Sequence, residues 1–279
     1  MNVAIDQIVR DWFDVPDAIE PFYFEGSELQ QQLDSGNFDY VVAGEARDVK
    51  QLAVFDSGEC IPALILFERV QDSKKNRYLR HNIDVSGFVK QQGNSFPASK
   101  KTLFSQAIGR KTEKVMDVTG GWLGDSLLMC SQNYTTYVLE RHWLMQGFIQ
   151  HACESLSDTL WAKKNSVPVP RLYKGNAIDF LNSEALNDVA LIDCIYVDPM
   201  FPPKVKKSAA VRKSMKVLHE LVGQDTDAED LFVAAYSSDV RRIVVKRPDY
   251  AQPLGLNPLN VKPTETLAGK LVRYDIYIR

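Results

Sequence analysis

An aspartate stands where an apolar stretch of the chain meets a run of prolines. Residues 194–204 read CIYVDPMFPPK, so Asp198 follows a strand-like segment and precedes Pro199. Proline cannot donate to a strand ladder, and we therefore expect the strand to end at Asp198. Ligands of open α/β sheets bind at the carboxyl ends of the strands, which makes this carboxylate a candidate for chemistry. An Asp-Pro pair is also common in ordinary turns, so this segment alone does not distinguish a ligand site from a turn.

A carboxylate followed by an aromatic ring suits methyl transfer to an exocyclic amine. Asp198 would accept hydrogen bonds from the amino group, and Phe201 would stack on the ring that carries it. Such a reaction depends on the alignment of the amine with the methyl group more than on acid–base help. We therefore predict Asp198 and Phe201 as catalytic residues.

A glycine-rich segment follows an earlier strand candidate. Residues 115–126 read VMDVTGGWLGDS, which places Gly120, Gly121 and Gly124 between Asp117 and Asp125. Glycine lets a backbone approach a ligand closely and permits positive φ. Glu140 ends the next strand candidate, and an acidic residue about 20 positions past a glycine loop is the arrangement that binds ribose hydroxyls. The spacing favours a nucleoside cofactor over an ordinary tight turn, the alternative reading of the loop.

A third strand candidate ends just before Asn176. An asparagine there could both donate to and accept from an adenine edge. It could equally cap the helix that begins at Ala177, and the two roles are compatible.

Strand and helix patterns alternate in the second half of the chain. Strands are predicted for residues 115–119, 136–140, 171–174, 191–198 and 242–246, and the clearest helix for 142–163. Such alternation predicts a parallel sheet covered on both faces. Runs at 266–268 and 271–278 have no helix between them and predict a closing antiparallel hairpin.

The first half predicts a smaller domain. We expect a helix over residues 3–13, a β meander from strands 38–43, 51–55 and 61–67, an exposed polar connection over 69–94, and a helix over 99–108 with Ser99 as N-cap. The predicted division is a small β-containing domain at 1–85, a basic linker and helix at 86–113, and the main domain at 114–279.

Composition narrows the class of protein. The 279 residues are 45% hydrophobic and 25% charged, with a net charge of −3. These values are typical of a soluble globular protein, and no apolar run of membrane-spanning length occurs. The four cysteines are scattered, which predicts reduced thiols, a cytoplasmic location and no metal site.

Longer stretches around these residues resemble a known family. They are DVTGGWLGD (117–125), VLERH (138–142), YVDPMFPPKVKKSA (196–209), ELVGQDTDAEDL (220–231), IVVKRPDYAQPL (243–254) and RYDIY (273–277). Together they resemble the RsmJ family, S-adenosylmethionine-dependent methyltransferases acting on a guanine N2 of bacterial small-subunit (16S) ribosomal RNA. The resemblance runs from about Phe88 to Ile278.

The resemblance implies a fold, a cofactor and a partner. The fold would be a class I methyltransferase, Rossmann-like α/β sheet with a terminal antiparallel hairpin and a small N-terminal β-containing domain. The cofactor would be S-adenosylmethionine, and the partner ribosomal RNA or a ribosomal particle. Leu123 stands where the family more usually has glycine. The resemblance, position by position, implies cofactor contacts at Gly124, Asp125, Glu140, Arg141, Asn176, Ala177 and Asp198. We add Asp117 and Gly120 of the glycine loop to the predicted cofactor site.

A run of basic residues follows the proline segment and is a candidate for binding RNA phosphates. A solvated helix face is the alternative interpretation of the run. Lys246 and Arg247 are secondary candidates. The predicted RNA-binding residues are Lys204, Lys206, Lys207, Arg212, Lys213 and Lys216.

Two other classes of function remain open from the sequence. A nicotinamide-dependent oxidoreductase would share the glycine loop and Glu140, but it would not explain the Asp198-Pro199 segment or the closing hairpin. A non-catalytic RNA-binding or ribosome-assembly protein would not need both Asp198 and Glu140.

Overall fold

The computed structural model describes residues 1–46, 62–70, 77–93, 96–189, 191–200, 221, 226–257 and 259–279. These residues form two compact units. The first contains the described residues of 1–94 and 142–166 together with Leu221, and the second contains the remaining described residues. No helix in these ranges has both the length and the hydropathy needed to span a bilayer.

The described residues form both strands and helices. The strands are β1 (Val3–Asp6), β2 (Phe22–Phe24), β3 (Tyr40–Glu45), β4 (Ala63–Arg69), β5 (Tyr78–His81), β6 (Lys114–Asp117), β7 (Thr135–Glu140), β8 (Arg171–Lys174), β9 (Cys194–Val197), β10 (Arg242–Pro248), β11 (Glu265–Ala268) and β12 (Val272–Ile278). The helices are α1 (Leu29–Ser35), α2 (Val85–Gln92), α3 (Leu103–Ile108), α4 (Gly124–Ser131), α5 (Trp143–Ser157), α6 (Leu160–Asn165), α7 (Ala177–Leu181), α8 (Ala185–Asp188) and α9 (Ala228–Ser237).

The first unit contains a mixed sheet with the strand order β2-β1-β3-β4-β5. The strands β3, β4 and β5 pair antiparallel, as expected for a meander. However, β1 pairs in parallel with both β2 and β3, which the sequence reading did not anticipate. The strand predicted for residues 51–55 lies outside the described residues.

The helix predicted for residues 3–13 is wrong in its first part. All four residues of β1 are buried between two neighbouring strands, and this environment suits the β-branched side chains of that segment. The Asp6 carboxylate then accepts a hydrogen bond from Ile8 N at 3.2 Å and caps a 3₁₀ helix, Gln7–Trp12. Burial in the sheet outweighs the helical spacing of the apolar residues.

The exposed connection predicted for residues 69–94 is also wrong, because this segment contains β5 and α2. His81 Nε2 lies 2.8 Å from Glu68 Oε2 on the neighbouring strand, and both side chains are buried. Buried Val85 and Val89 hold α2 in place. The sequence did not indicate this strand, because its buried residue is His81, which pairs with an acid, and not an apolar side chain.

Two helix boundaries differ from the prediction because of threonine caps. The helix predicted for 142–163 is divided into α5 and α6, and Thr159 Oγ1 accepts from Ala162 N at 3.1 Å to begin α6. Similarly, Thr102 instead of Ser99 caps α3, accepting from Ser105 N at 3.2 Å.

The second unit contains a seven-stranded sheet with the order β11-β12-β10-β9-β6-β7-β8 over the described residues. The strands from β10 to β8 are parallel, whereas β12 is antiparallel to β10 and to β11. The predicted class of fold, a parallel α/β sheet with a terminal antiparallel hairpin, is confirmed.

The strand β9 lies inside this sheet and determines where Asp198 projects. All four residues of β9 are 0% exposed. Ile195 and Val197 pack in one apolar cluster, and Cys194 and Tyr196 pack in another. Because both faces are covered, the first position at which the chain can present a polar side chain is the carboxyl end of the strand.

Gly147 is expected to be essential to the packing of the first unit. A Cβ atom at this position would lie 2.3 Å from Phe13 Cε1. We expect Gly147→Ala to lower the free energy of unfolding by about 1–3 kcal/mol, because the methyl group has to displace the ring. Urea denaturation measures this loss. Removing the ring with Phe13→Ala should reduce the cost of the glycine substitution, and an unchanged cost in that background would contradict the assigned clash.

Candidate active site

Predicted site residues meet at the carboxyl edge of the parallel strands of the second unit. The glycine loop follows β6, Glu140 ends β7, Asn176 follows β8, and Asp198 follows β9. Lys246 of β10 joins them through bonds to two carboxylates, a role that the sequence reading did not assign.

Asp117 stabilises the glycine loop from inside the protein. Its side chain is buried and accepts hydrogen bonds from Thr119 N at 3.0 Å, Thr119 Oγ1 at 3.2 Å and Ser126 Oγ at 2.5 Å. Burial raises the pKa of Asp117 to about 6, although the bonds from Ser126 and Thr119 lower it. Both carboxylate oxygens are therefore bonded within the protein, and this residue orders the loop.

The glycine loop is hydrogen-bonded to β7 and leaves open space beside Gly124. Gly120 N donates to Leu139 O at 3.0 Å, and Gly121 has a φ of +48°. A Cβ atom at Gly124 or at Gly175 would meet nothing within 4 Å. The backbone at both glycines is therefore accessible to a bound molecule.

Glu140 links β7 to this loop. Its side chain is 6% exposed, and Oε2 accepts a hydrogen bond from Gly121 N at 2.9 Å. The residue expected to bind a ribose thus also fixes the conformation of the neighbouring glycine. This second role was not predicted, since it depends on the fold of the loop.

Three other predicted cofactor residues have structural contacts of their own. Arg141 Nη1 lies 2.6 Å from Asp227 Oδ2, which connects the end of β7 to the start of α9. Asn176 Oδ1 accepts from Ile178 N at 2.8 Å and is the N-cap of α7, as one of the two readings expected. Ala177 contributes its side chain to the apolar core.

One ammonium group connects two carboxylates at the centre of the edge. Lys246 Nζ lies 2.8 Å from Asp198 Oδ2 and 2.8 Å from Asp125 Oδ2. Tyr196 OH also donates to Asp125 Oδ2, at 2.6 Å. The backbone of Asp198 is held as well, because its N–H donates to Thr119 Oγ1 at 2.8 Å.

The charged groups in this cluster shift one another's pKa values. Burial raises the pKa of Asp198 to about 7, while Lys246 lowers it and Asp125 raises it. Burial lowers the pKa of Lys246, but Asp198 and Asp125 more than reverse this effect and raise it above its ordinary value. The ammonium therefore stays charged near neutral pH.

Several predicted residues lie outside the described part of the chain. They include Phe201 and the six predicted RNA-binding residues, Lys204, Lys206, Lys207, Arg212, Lys213 and Lys216. Of the secondary candidates, Lys246 bonds the two carboxylates, and Arg247 donates to Gln252 O from Nε at 3.0 Å. No group of His, Cys, Asp and Glu suited to a metal ion occurs among the described residues.

Comparison with known proteins identifies the family. Residues 64–279 match the family SAM_MT, described as "Putative SAM-dependent methyltransferase". The ribosomal RNA small subunit methyltransferase J of Shewanella pealeana is 33% identical over 202 residues, which cover 70% of this chain and 76% of the relative. The chain belongs to the RsmJ family. The RsmJ protein of Psychromonas ingrahamii is 32% identical over 227 residues, 78% of this chain and 82% of its own length.

A solved structure agrees on the fold. A SAM-dependent methyltransferase from Neisseria gonorrhoeae aligns with a TM-score of 0.57 at 19% identity, covering 100% of this chain and 96% of its own. The class I methyltransferase fold is therefore confirmed. The family model separately confirms S-adenosylmethionine as the cofactor of this RsmJ enzyme. Membership of the RsmJ family favours this cofactor over the nicotinamide alternative.

The glycine loop of this RsmJ protein contains a strained residue. Leu123 has a φ of +60° and is 0% exposed. A left-handed conformation costs an ordinary residue about 1–2 kcal/mol and costs glycine little. The apolar contacts of the buried side chain must therefore compensate for this strain.

The opposition between backbone strain and side-chain packing at Leu123 predicts how the stabilities of its alanine and glycine variants compare. We expect Leu123→Ala to lower the free energy of unfolding by about 2–5 kcal/mol, because it removes core contacts and keeps the strain. Leu123→Gly removes one more carbon but relieves the strain, so it should be at least as stable as the alanine variant. Denaturant titration of both variants gives the comparison. An alanine variant more stable than the glycine variant by 1 kcal/mol or so would contradict the assigned strain.

Proposed function

We propose that the protein methylates the exocyclic N2 of a specific guanine in 16S ribosomal RNA, using S-adenosylmethionine. The proposal is carried by the position of Asp198, a carboxylate held at the carboxyl end of β9 beside the glycine loop. It is supported by the family, whose curated relatives named above are small-subunit ribosomal RNA methyltransferases.

The residues at the edge of the sheet fit the cofactor. S-adenosylmethionine supplies an electrophilic methyl group on a positively charged sulfur. The open space beside Gly124 and Gly175 suits a ligand close to the backbone. Glu140 stands at the end of β7, where its carboxylate would accept bonds from the ribose hydroxyls. Among the predicted contacts, Gly124 and Glu140 are the first choice, because the space beside Gly124 is open and Glu140 ends β7 at the carboxyl edge of the sheet.

Asp198 would orient the methyl acceptor. Its Oδ2 is bonded to Lys246, and no donor in the described ranges bonds its Oδ1. Oδ1 would accept a hydrogen bond from the guanine amino group and direct the nitrogen lone pair toward the methyl group. Most of the rate enhancement would come from this alignment. The target base has to leave its stack to reach such a site, and Phe201 would offer it a replacement ring face.

The RNA would be held by the basic run after the proline segment. Positive side chains next to the loop that receives the base would contact phosphates and contribute affinity without reading sequence. The proposed substrate is small-subunit ribosomal RNA or a ribosomal particle that contains it, which would place the reaction in the cytoplasm. The residues proposed to contact RNA are Lys204, Lys206, Lys207, Arg212, Lys213 and Lys216.

Replacing Glu140 tests the cofactor site. Glu140→Gln should weaken the affinity for S-adenosylhomocysteine by about tenfold, because bonds to a charged acceptor are roughly twice as strong as neutral ones. The glutamine oxygen can still accept from Gly121 N, so the unfolding transition should change little. Calorimetry measures the affinity, with exposed Glu113→Gln as the matched control. Unchanged affinity in Glu140→Gln would move the ribose contact to another residue.

Replacing Asp198 tests the reaction. Labelled S-adenosylmethionine and small-subunit particles lacking the modification should yield N2-methylguanosine with the wild type. Asp198→Ala should lower the rate by about a hundredfold or more, because misplacement of the acceptor by about 1 Å costs that much. Asp239→Ala, an exposed carboxylate of the same unit, is the control and should retain full activity.

Two results of this experiment would overturn the proposal. A methylated nucleoside other than N2-methylguanosine from the wild type would refute the proposed target atom. Full activity in Asp198→Ala would refute the proposed acceptor role, even if the product were the expected one.

A further inference from the structure

Lys246 joins two parts of the site that the proposed function uses separately. It is on β10, whereas Asp125 is in the first turn of α4 and Asp198 follows β9. Its Nζ lies 2.8 Å from an oxygen of each carboxylate. Only 22% of the lysine side chain is exposed, so the ammonium is partly withdrawn from water.

These contacts restrict Asp198 at two points. The backbone N–H donates to Thr119 Oγ1 at 2.8 Å, and Oδ2 accepts from Lys246 at 2.8 Å. A carboxylate fixed at its backbone and at one oxygen has its other oxygen in a defined direction. Asp125 is restrained at one oxygen, because both Tyr196 OH and Lys246 Nζ donate to its Oδ2.

We propose that Lys246 is the positioning residue of Asp198: it fixes Oδ2, favours the ionised carboxylate over the protonated form, and directs Oδ1 toward the amine of the target guanine. The inference rests on the proposed function for the identity of the amine. Lys246 acts through Asp198 and need not touch the base. Its charge would be paired with the two carboxylates inside the protein and would not be available to an RNA phosphate.

The groups around Asp198 make this role necessary. Burial raises the pKa of Asp198 and Lys246 lowers it, whereas Asp125 of α4 and Asp117 of β6 raise it further. The phenols of Tyr196 in β9 and Tyr274 in β12 also interact with this cluster, and both have raised pKa values, so they remain neutral near pH 7. Among the described residues, Lys246 is the group that favours the ionised form.

Loss of the ammonium should therefore raise the pKa of Asp198 above its value of about 7, so that the protonated form predominates at neutral pH. An opposite charge at this distance typically lowers the pKa of a carboxyl by about 1–3 units. Without it, the acid limb of the activity profile should move to higher pH, since a protonated carboxyl is a poorer acceptor for an amine. Activity should recover as the pH is raised. A purely structural role would lower activity by the same factor at every pH.

The first test observes Asp198 directly and does not need an active enzyme. In ¹³C-aspartate-labelled full-length protein, Asp198→Asn assigns the carboxyl resonance of Asp198. Its titration midpoint should rise by about one to three pH units in Lys246→Met and stay within half a unit of wild type in Lys246→Arg. Lys114→Met, a lysine of β6 at the opposite end of the strands, is the matched control. An unmoved midpoint in Lys246→Met would overturn the proposal.

The second test uses methyl transfer to small-subunit particles between pH 6 and 9.5. Lys246→Met should show the acid limb displaced upward with partial recovery at high pH, and Lys246→Arg should keep the wild-type limb. A loss independent of pH would overturn the proposal. If Lys246→Met does not fold, Lys246→Gln replaces it in both tests, because glutamine is neutral but still donates a hydrogen bond.

The two tests separate this inference from the proposed function. A wild type that forms no N2-methylguanosine would refute the function, whereas the carboxyl titration would still support or refute the role of Lys246. A wild type that forms N2-methylguanosine, together with an unshifted Lys246→Met profile, would refute the inference alone.

Discussion

Two carboxylates from different elements share one ammonium at the carboxyl edge of the sheet, and the geometry of the site depends on this arrangement. Asp125 and Asp198 would repel each other if Lys246 were absent. Partial removal of three charges from water is costly, and it is tolerated only where the charges are paired and their remaining bonds are satisfied. Here Tyr196 OH and Thr119 Oγ1 supply such bonds.

The same network reaches the glycine loop through Thr119. Its hydroxyl accepts from the backbone of Asp198 and donates to the buried carboxylate of Asp117. One side chain therefore links the end of β9 to the end of β6. The loop is ordered by the protein itself, through Asp117 on one side and Glu140 on the other. Preorganisation of this kind lowers the entropic cost of binding a ligand.

Features with a local cause could be predicted from the sequence. The apolar run of β9, followed by proline, predicted the end of the strand to within one residue, and the spacing of Glu140 from the glycines placed both at one edge of the sheet. The pairing of Lys246 with Asp125 could not be predicted, because 121 residues separate the two and only the strand order brings them together. The strand β5 was missed because a buried His81–Glu68 pair resembles an exposed polar sequence.

The first unit is not continuous in sequence, and this affects how the protein is made. The strands β1 to β5 and the helix α5 belong to one unit, yet β6 and β7 of the other unit lie between them along the chain. Trp12 Nε1 donates to Glu154 Oε2 at 3.1 Å, and Phe13 packs against Trp143. During translation, Trp12 can bond Glu154 only after α5 has been synthesised, which takes on the order of 10 s at about 5–20 residues per second. Until then Phe13 lacks its aromatic partners on α5, so this unit can complete its packing only after part of the other unit has been synthesised.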